Sequence, residues 1–74
     1  MFRTPLRDQI GRRVTIRVGQ ITWRGLLAAA SAGWVELKRA EAIDPVTGSM
    51  SADGIILLPE SKIDYLQAIP EEKL

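Results

Sequence analysis

Residues 54–70 of the 74-residue chain read GIILLPESKIDYLQAIP, and their pattern strongly constrains its architecture. Two short apolar runs, Ile55–Leu58 and Ile63–Ile69, flank the polar joint Pro59–Lys62. Short apolar runs bounded by turn residues are typical of buried strands. A domain of this size buries only about 60% of its unfolded surface. The stretch therefore predicts a strongly curled sheet, or a sheet that pairs with a second copy of the chain.

The composition limits both the sources of stability and the chemistry of the chain. It has no cysteine and no histidine, and its net charge is +1. Disulfides are therefore excluded, and a zinc site would need carboxylates alone. We expect no metal and no cofactor, and we expect no enzyme because no histidine is present to activate the serines. Oligomerisation remains as the extra source of stability.

No apolar run reaches the length of a membrane-spanning helix, and the N-terminus has no signal-peptide core. The sequence thus predicts a cytoplasmic protein with no membrane partner.

The remaining pattern predicts one all-β domain over residues 1–74, after a short N-terminal α-helix. Thr4 and Pro5 are typical of the start of a helix, and Gly11 of its end. Apolar and polar residues then alternate, and Gly25 inside a strand indicates a sharp bend. Five strands in so short a chain predict a strongly bent, open, SH3-like barrel. The predicted segments are a helix at 4–10, strands at 12–18, 21–30, 34–43, 55–58 and 63–69, and a loop at 44–54.

Two features of the pattern concern side-chain positions. Val14 and Ile16 point to the expected core, with Trp23 beside them. Arg13, Arg17 and Arg24 point outward on adjacent strands, where they would form a basic patch. A plain solvated surface explains the same arginines, and both interpretations stay open.

Three segments of the sequence together resemble the Sm-like (LSm) family. Residues 6–16 are similar to its helix and first strand, residues 23–27 to its Gly-x-Leu second strand, and residues 55–66 to its closing pair of strands. The resemblance implies a ring of about five to seven subunits and binding of single-stranded RNA. Family members that bind RNA carry Asp and Asn in the turn after the second strand, and Arg-Gly in the last joint. Here the turn reads SAGW (31–34) and the joint PESK (59–62).

Two functions remain as alternatives. In the first, a ring binds single-stranded RNA through a stacking tryptophan and nearby basic and hydroxyl side chains. These candidate binding residues are Trp34, Lys62, Ser61, Ser31, Arg12 and Arg13. In the second, the ring is a structural or adaptor module that binds protein, for example in a phage particle, and binds no nucleic acid. In both, the predicted subunit interface consists of Ile55, Ile56, Leu57, Leu58, Ile63, Tyr65 and Leu66.

Overall fold

The structure is a computed structural model that describes residues 6–69. This part of the chain contains six strands and two short 3-10 helices at Arg7–Gln9 and Glu60–Lys62. The strands are β1 (Arg13–Val18), β2 (Ile21–Ser31), β3 (Trp34–Asp44), β4 (Gly48–Ser51), β5 (Ile55–Pro59) and β6 (Tyr65–Ala68).

All six strands belong to one antiparallel sheet with the order β4-β3-β2-β1-β6. β5 also pairs with β3, along Trp34–Lys38, while β4 pairs with the far half of β3, along Glu41–Asp44. β5 and β6 therefore lie on opposite edges of the bent sheet. The predicted all-β, strongly bent fold is confirmed.

The bend is produced where β2 and β3 lose register. Gly25 of β2 faces two residues of β3, Arg39 and Ala40, and Arg39 has a positive φ of 52°. A Cβ on Gly25 would lie 3.0 Å from both the Ala40 Cα and the Lys38 carbonyl oxygen. Bulges of this kind bend the strand and increase its twist. The sequence expectation of a bend at Gly25 is confirmed, and its cause is the close approach of β3.

The core lies on the concave side of the sheet. Its buried members come from β1, β2, β3 and β5, and Trp23 packs against them while only partly buried. The described residues contain no buried side-chain nitrogen or oxygen that lacks a hydrogen bond. The buried residues are Val14, Ile16, Leu27, Ala30, Val35, Leu37, Ala40 and Leu58.

The N-terminal α-helix predicted at 4–10 is corrected for the described residues, which contain only the 3-10 turn Arg7–Gln9. Thr4 and Pro5 lie outside the described residues. The turn ends early because the Gly11 amide donates to the Leu27 carbonyl oxygen at 2.8 Å, which directs the chain into the sheet.

The loop predicted at 44–54 is also corrected, because it contains β4. The Asp44 carboxylate accepts hydrogen bonds from the amides of Val46 (2.7 Å) and Thr47 (3.4 Å). These bonds form an Asx turn, which reverses the chain and lets residues 48–51 pair with β3.

The last strand begins at Tyr65, two residues later than predicted. The Ile63 amide closes the 3-10 turn onto Glu60, and the Asp64 amide donates to the Arg17 carbonyl oxygen at 2.8 Å. Ile63 and Asp64 therefore connect the 3-10 turn to β6 and are not part of the strand.

Candidate nucleic-acid interface

The turn between β2 and β3 lies against the joint between β5 and β6. Ala32 and Gly33 both have positive φ, 53° and 82°, as in the tight type I′ turn of a two-residue hairpin. The Glu60 amide donates to the Gly33 carbonyl oxygen at 2.8 Å, and Trp34 pairs with Pro59. The fold therefore brings together two segments that lie 25 or more residues apart in sequence.

We call the surface formed by these segments the turn–joint site, and it consists of Ser31, Trp34, Glu60, Ser61 and Lys62. Trp34 is 49% exposed, and Ser31, Ser61 and Lys62 are exposed. The indole thus covers part of the barrel surface and presents the rest to solvent. A half-exposed aromatic ring is suited to stacking on a base.

The charges around the turn–joint site are mixed. Lys62 supplies one positive charge, and Glu60 in the same 3-10 turn supplies a negative one. Glu36 follows Trp34 by two positions on β3, so it lies on the same face of the sheet. The site therefore offers a stacking surface, but its two carboxylates offset the attraction of Lys62 for a phosphate group.

Arg12 and Arg13 do not join this site. Arg13 pairs with Leu26, five positions from Ser31 along β2, which corresponds to about 16 Å of strand. Arg12 donates to the Gln9 side-chain oxygen at 3.4 Å, beside the N-terminal turn. The structure thus places Trp34, Ser31, Ser61 and Lys62 together and the two arginines elsewhere.

The candidate interface residues divide into two groups by burial. Ile55 (53% exposed), Leu57 (56%) and Tyr65 (48%) present their side chains to solvent. The other group packs in or against the monomer's own core and would contribute to an interface mainly through the backbone. That group is Ile56, Leu58, Ile63 and Leu66.

Two contacts of this region have no signal in the sequence. The first is the bond between Gly33 and Glu60, which closes the turn–joint site. The second is at Asp64, whose carboxylate accepts a hydrogen bond from the Gly19 amide at 3.1 Å and so holds the turn between β1 and β2. No local motif signals either contact, because both join distant segments.

Residues 6–69 contain no group of three or more His, Cys, Asp or Glu side chains arranged to hold a metal ion. In the same described part of the chain, no helix has the length and hydrophobicity needed to cross a membrane.

No protein-family model and no curated protein sequence matches the chain. Solved structures do match its backbone. The SmAP1 heptamer of P. aerophilum gives a TM-score of 0.79 at 21% identity, over 96% of this chain and 100% of that one. This chain has the Sm-like fold.

Two other solved structures show the same Sm-like backbone. A Pyrococcus abyssii Sm protein in complex with a uridine heptamer gives a TM-score of 0.71 at 18% identity, over 86% of this chain and 92% of that one. A chain from a NatC complex bound to CoA gives a TM-score of 0.73 at 20% identity, over 90% of this chain and 87% of that one. Identities this low establish the fold, and the ligand must be argued from the site itself.

Proposed function

We propose that this chain assembles with copies of itself into a closed ring that binds single-stranded nucleic acid, namely RNA, at the turn–joint site. The observation that carries the proposal is the hydrogen bond from Glu60 to Gly33, because it joins the turn that carries the exposed Trp34 to the joint that carries Ser61 and Lys62. The likeness to a Pyrococcus abyssii Sm protein in complex with a uridine heptamer supports this choice of ligand.

Ring assembly is supported by the two edges of the sheet. In the described residues, β5 pairs only with β3 and β6 only with β1, so each has one edge without a strand. Unpaired edges are templates for another strand. Pairing β5 of one copy with β6 of the next is a head-to-tail contact, which closes into a ring when the rotation permits. The likeness to the P. aerophilum heptamer supports a ring of this kind, with about five to seven subunits.

Binding would rest on three kinds of contact. The Trp34 indole stacks on one base, and Lys62 neutralises a neighbouring phosphate. The hydroxyls of Ser31 and Ser61 hydrogen-bond to phosphate or to the ribose 2′-OH. Each protomer repeats this site around the ring, so one strand that reaches several sites gains avidity without new contacts.

The test is a fluorescence-anisotropy titration of U-rich and A-rich RNA oligomers with wild type and Trp34→Ala. Loss of one stacked base should weaken binding by about 5- to 150-fold, since stacking contributes about 1–3 kcal/mol per base. Val46→Ala is the control, because Val46 is 88% exposed at the tip of the β3–β4 hairpin and lies outside the site. Wild type that binds neither oligomer at low salt would refute the proposal.

The carboxylates beside Trp34 favour a second candidate, an adaptor ring whose turn–joint site binds a basic segment of a protein. Glu36 and Glu60 would pair with its cationic side chains, and the indole face would accept a cation. The likeness to a chain of a NatC complex supports this candidate. Glu60→Gln separates the two: it should strengthen RNA binding under the first candidate and weaken binding of an Arg-rich peptide under the second.

A further inference from the structure

The convex face of the sheet presents a cluster of arginines. Val14 and Ile16 are fully buried on the concave side, so Arg13, Thr15 and Arg17 of β1 point to the convex side. Arg24 of β2 is directly across from Thr15 and therefore shares that face. Residues diagonal to one another in an antiparallel pair lie about 7–8 Å apart. The three arginines thus surround Thr15 on this face of the sheet.

An aromatic side chain completes this surface on the next strand. Tyr65 of β6 is the direct partner of Arg17, and Gln67 is the direct partner of Thr15. Tyr65 is 48% exposed on the convex side. The Arg17 Nε donates to the Gly19 carbonyl oxygen at 3.0 Å, which restricts that side chain at the turn between β1 and β2. The Asp64 carboxylate accepts from the amide of the same glycine at 3.1 Å. We call Arg13, Arg17, Arg24 and Tyr65 the convex patch.

Further charged residues lie around the patch. Lys38 is paired with Leu26, which is in turn paired with Arg13, and the three lie in one row across the sheet. Glu41 is the direct partner of Arg24 and is the one acid in these rows across β1, β2 and β3. These three rows therefore carry four bases against one acid. Two further acids lie at their borders: Glu36, two positions before Lys38 on the same face of β3, and Asp64, which directly precedes Tyr65. The turn–joint site, in contrast, carries acids beside a single lysine.

We propose that the convex patch is a second contact surface for single-stranded nucleic acid, in which the arginines hold the phosphates and Tyr65 stacks on a base. Arginine binds phosphate with two parallel hydrogen bonds, and an aromatic ring interleaved with bases is typical of strand-binding surfaces. An acidic protein segment would need the positive charge but not the exposed ring. The combination therefore favours a nucleic acid.

Ring closure leaves this surface accessible. Pairing of β6 with β5 of a neighbour uses the backbone groups at the strand edge, while side chains stand perpendicular to the sheet. Tyr65 would therefore stay on the convex face, next to the exposed Ile55 and Leu57 of the adjoining copy. The patch contains neither Trp34 nor Lys62, so substitutions in each surface test the two proposals independently.

The experiment is an anisotropy titration of the full-length protein with labelled U-rich and A-rich oligomers of about 12 nucleotides, repeated between 50 and 200 mM salt. Each phosphate contact to a single strand contributes about −0.7 to the slope of log K against log salt. Arg24→Gln and Arg13→Gln should each make the slope shallower by about 0.7. The loss of affinity between 50 and 200 mM salt should then be about 2.5-fold smaller in each variant than in wild type. Arg24→Lys should keep the slope.

Two controls distinguish the surfaces and the ligands. Lys62→Gln removes the same charge from the turn–joint site, and a poly-Glu peptide of equal length tests a purely acidic partner. Tyr65→Phe should bind like wild type and Tyr65→Ser at least about 5-fold more weakly. Native mass spectrometry of each variant checks that assembly is unchanged, since Tyr65 lies on an edge strand.

Three results would overturn the proposal. Equal losses in Arg24→Gln and Lys62→Gln would mean that only net charge matters. The second result is that Arg13→Gln and Arg24→Gln bind like wild type while Trp34→Ala and Lys62→Gln bind more weakly. It would exclude the convex patch and support binding at the turn–joint site alone. Equal binding of poly-Glu, together with no effect of Tyr65→Ser, would identify a general polyanion surface instead.

Discussion

Replacement of Gly25 by alanine should destabilise the fold by interfering with the bend. The added Cβ would lie 3.0 Å from the Ala40 Cα and the Lys38 carbonyl oxygen, and 3.1 Å from the Ala40 Cβ. Two of these atoms are backbone atoms and none can rotate away. β2 and β3 must therefore separate at the point where Arg39 and Ala40 face Gly25.

The size of the effect follows from two opposed terms. Overpacking of this kind costs about 1–3 kcal/mol, whereas replacing glycine by alanine restricts the unfolded chain and recovers about 0.4–1 kcal/mol. The difference spans about 0 to 2.6 kcal/mol. We expect a net loss of about 1–2 kcal/mol, because the two contacts at 3.0 Å are with backbone atoms that no side-chain rotation can relieve. A domain of this size loses about 4–8 °C in melting temperature per kcal/mol, so the variant should melt about 4–16 °C below wild type.

The assay is urea and thermal unfolding followed by tryptophan fluorescence, with all variants at one protomer concentration because assembly affects the midpoint. The double variant Gly25→Ala/Ala40→Gly should recover part of the loss, since it removes one of the three close atoms. An unchanged midpoint in Gly25→Ala would refute the explanation of the bend. Full recovery in the double variant would show that the backbone contacts contribute nothing.

Two further predictions concern the edge strand and the turn between β1 and β2. Leu58→Ala should lower the free energy of unfolding by about 2–5 kcal/mol, because Leu58 is only 6% exposed. Leu57 is 56% exposed, so Leu57→Lys should leave the monomer folded. The charge on an edge strand should prevent ring assembly, which native mass spectrometry would detect. Asp64→Ala should lose about 0.5–1.5 kcal/mol with the Gly19 hydrogen bond, and Asp64→Asn, which keeps a side-chain carbonyl acceptor, should lose clearly less in the same urea titration.

Part of the candidate site was predictable from sequence, because its residues lie beside turn signals. Trp34 follows the Ala32–Gly33 turn, and Lys62 lies in the polar joint, so each was recognisable as a residue at a strand end. Arg12 and Arg13 could not be separated from this group by sequence. Their distance from Ser31 depends on the register of β1 against β2, and no local sequence pattern predicts that register.

Burial along the long strands shows a similar limit. Alternation predicts the buried Val14 and Ile16 of β1 correctly, because that strand is regular. On β2, the same alternation predicts an inward Ala29, whereas Ala30 is the buried residue. The register shift between Leu27 and Ala29 inserts one extra residue into β2, and one extra residue moves every later side chain to the other face.

The class of the fold follows from local features of the sequence. Alternating and apolar runs, Gly25 within a strand and the polar joint Pro59–Lys62 predict a bent antiparallel sheet. These are local signals, since they depend on the side-chain period of a strand and on the backbone freedom of glycine. Which residues share a surface depends on the tertiary structure. The joint reaches Gly33 through one backbone hydrogen bond, and Tyr65 reaches Arg17 through the pairing of β6 with β1. Both contacts link residues far apart in sequence, and pairing between distant strands is settled by the burial of the whole core.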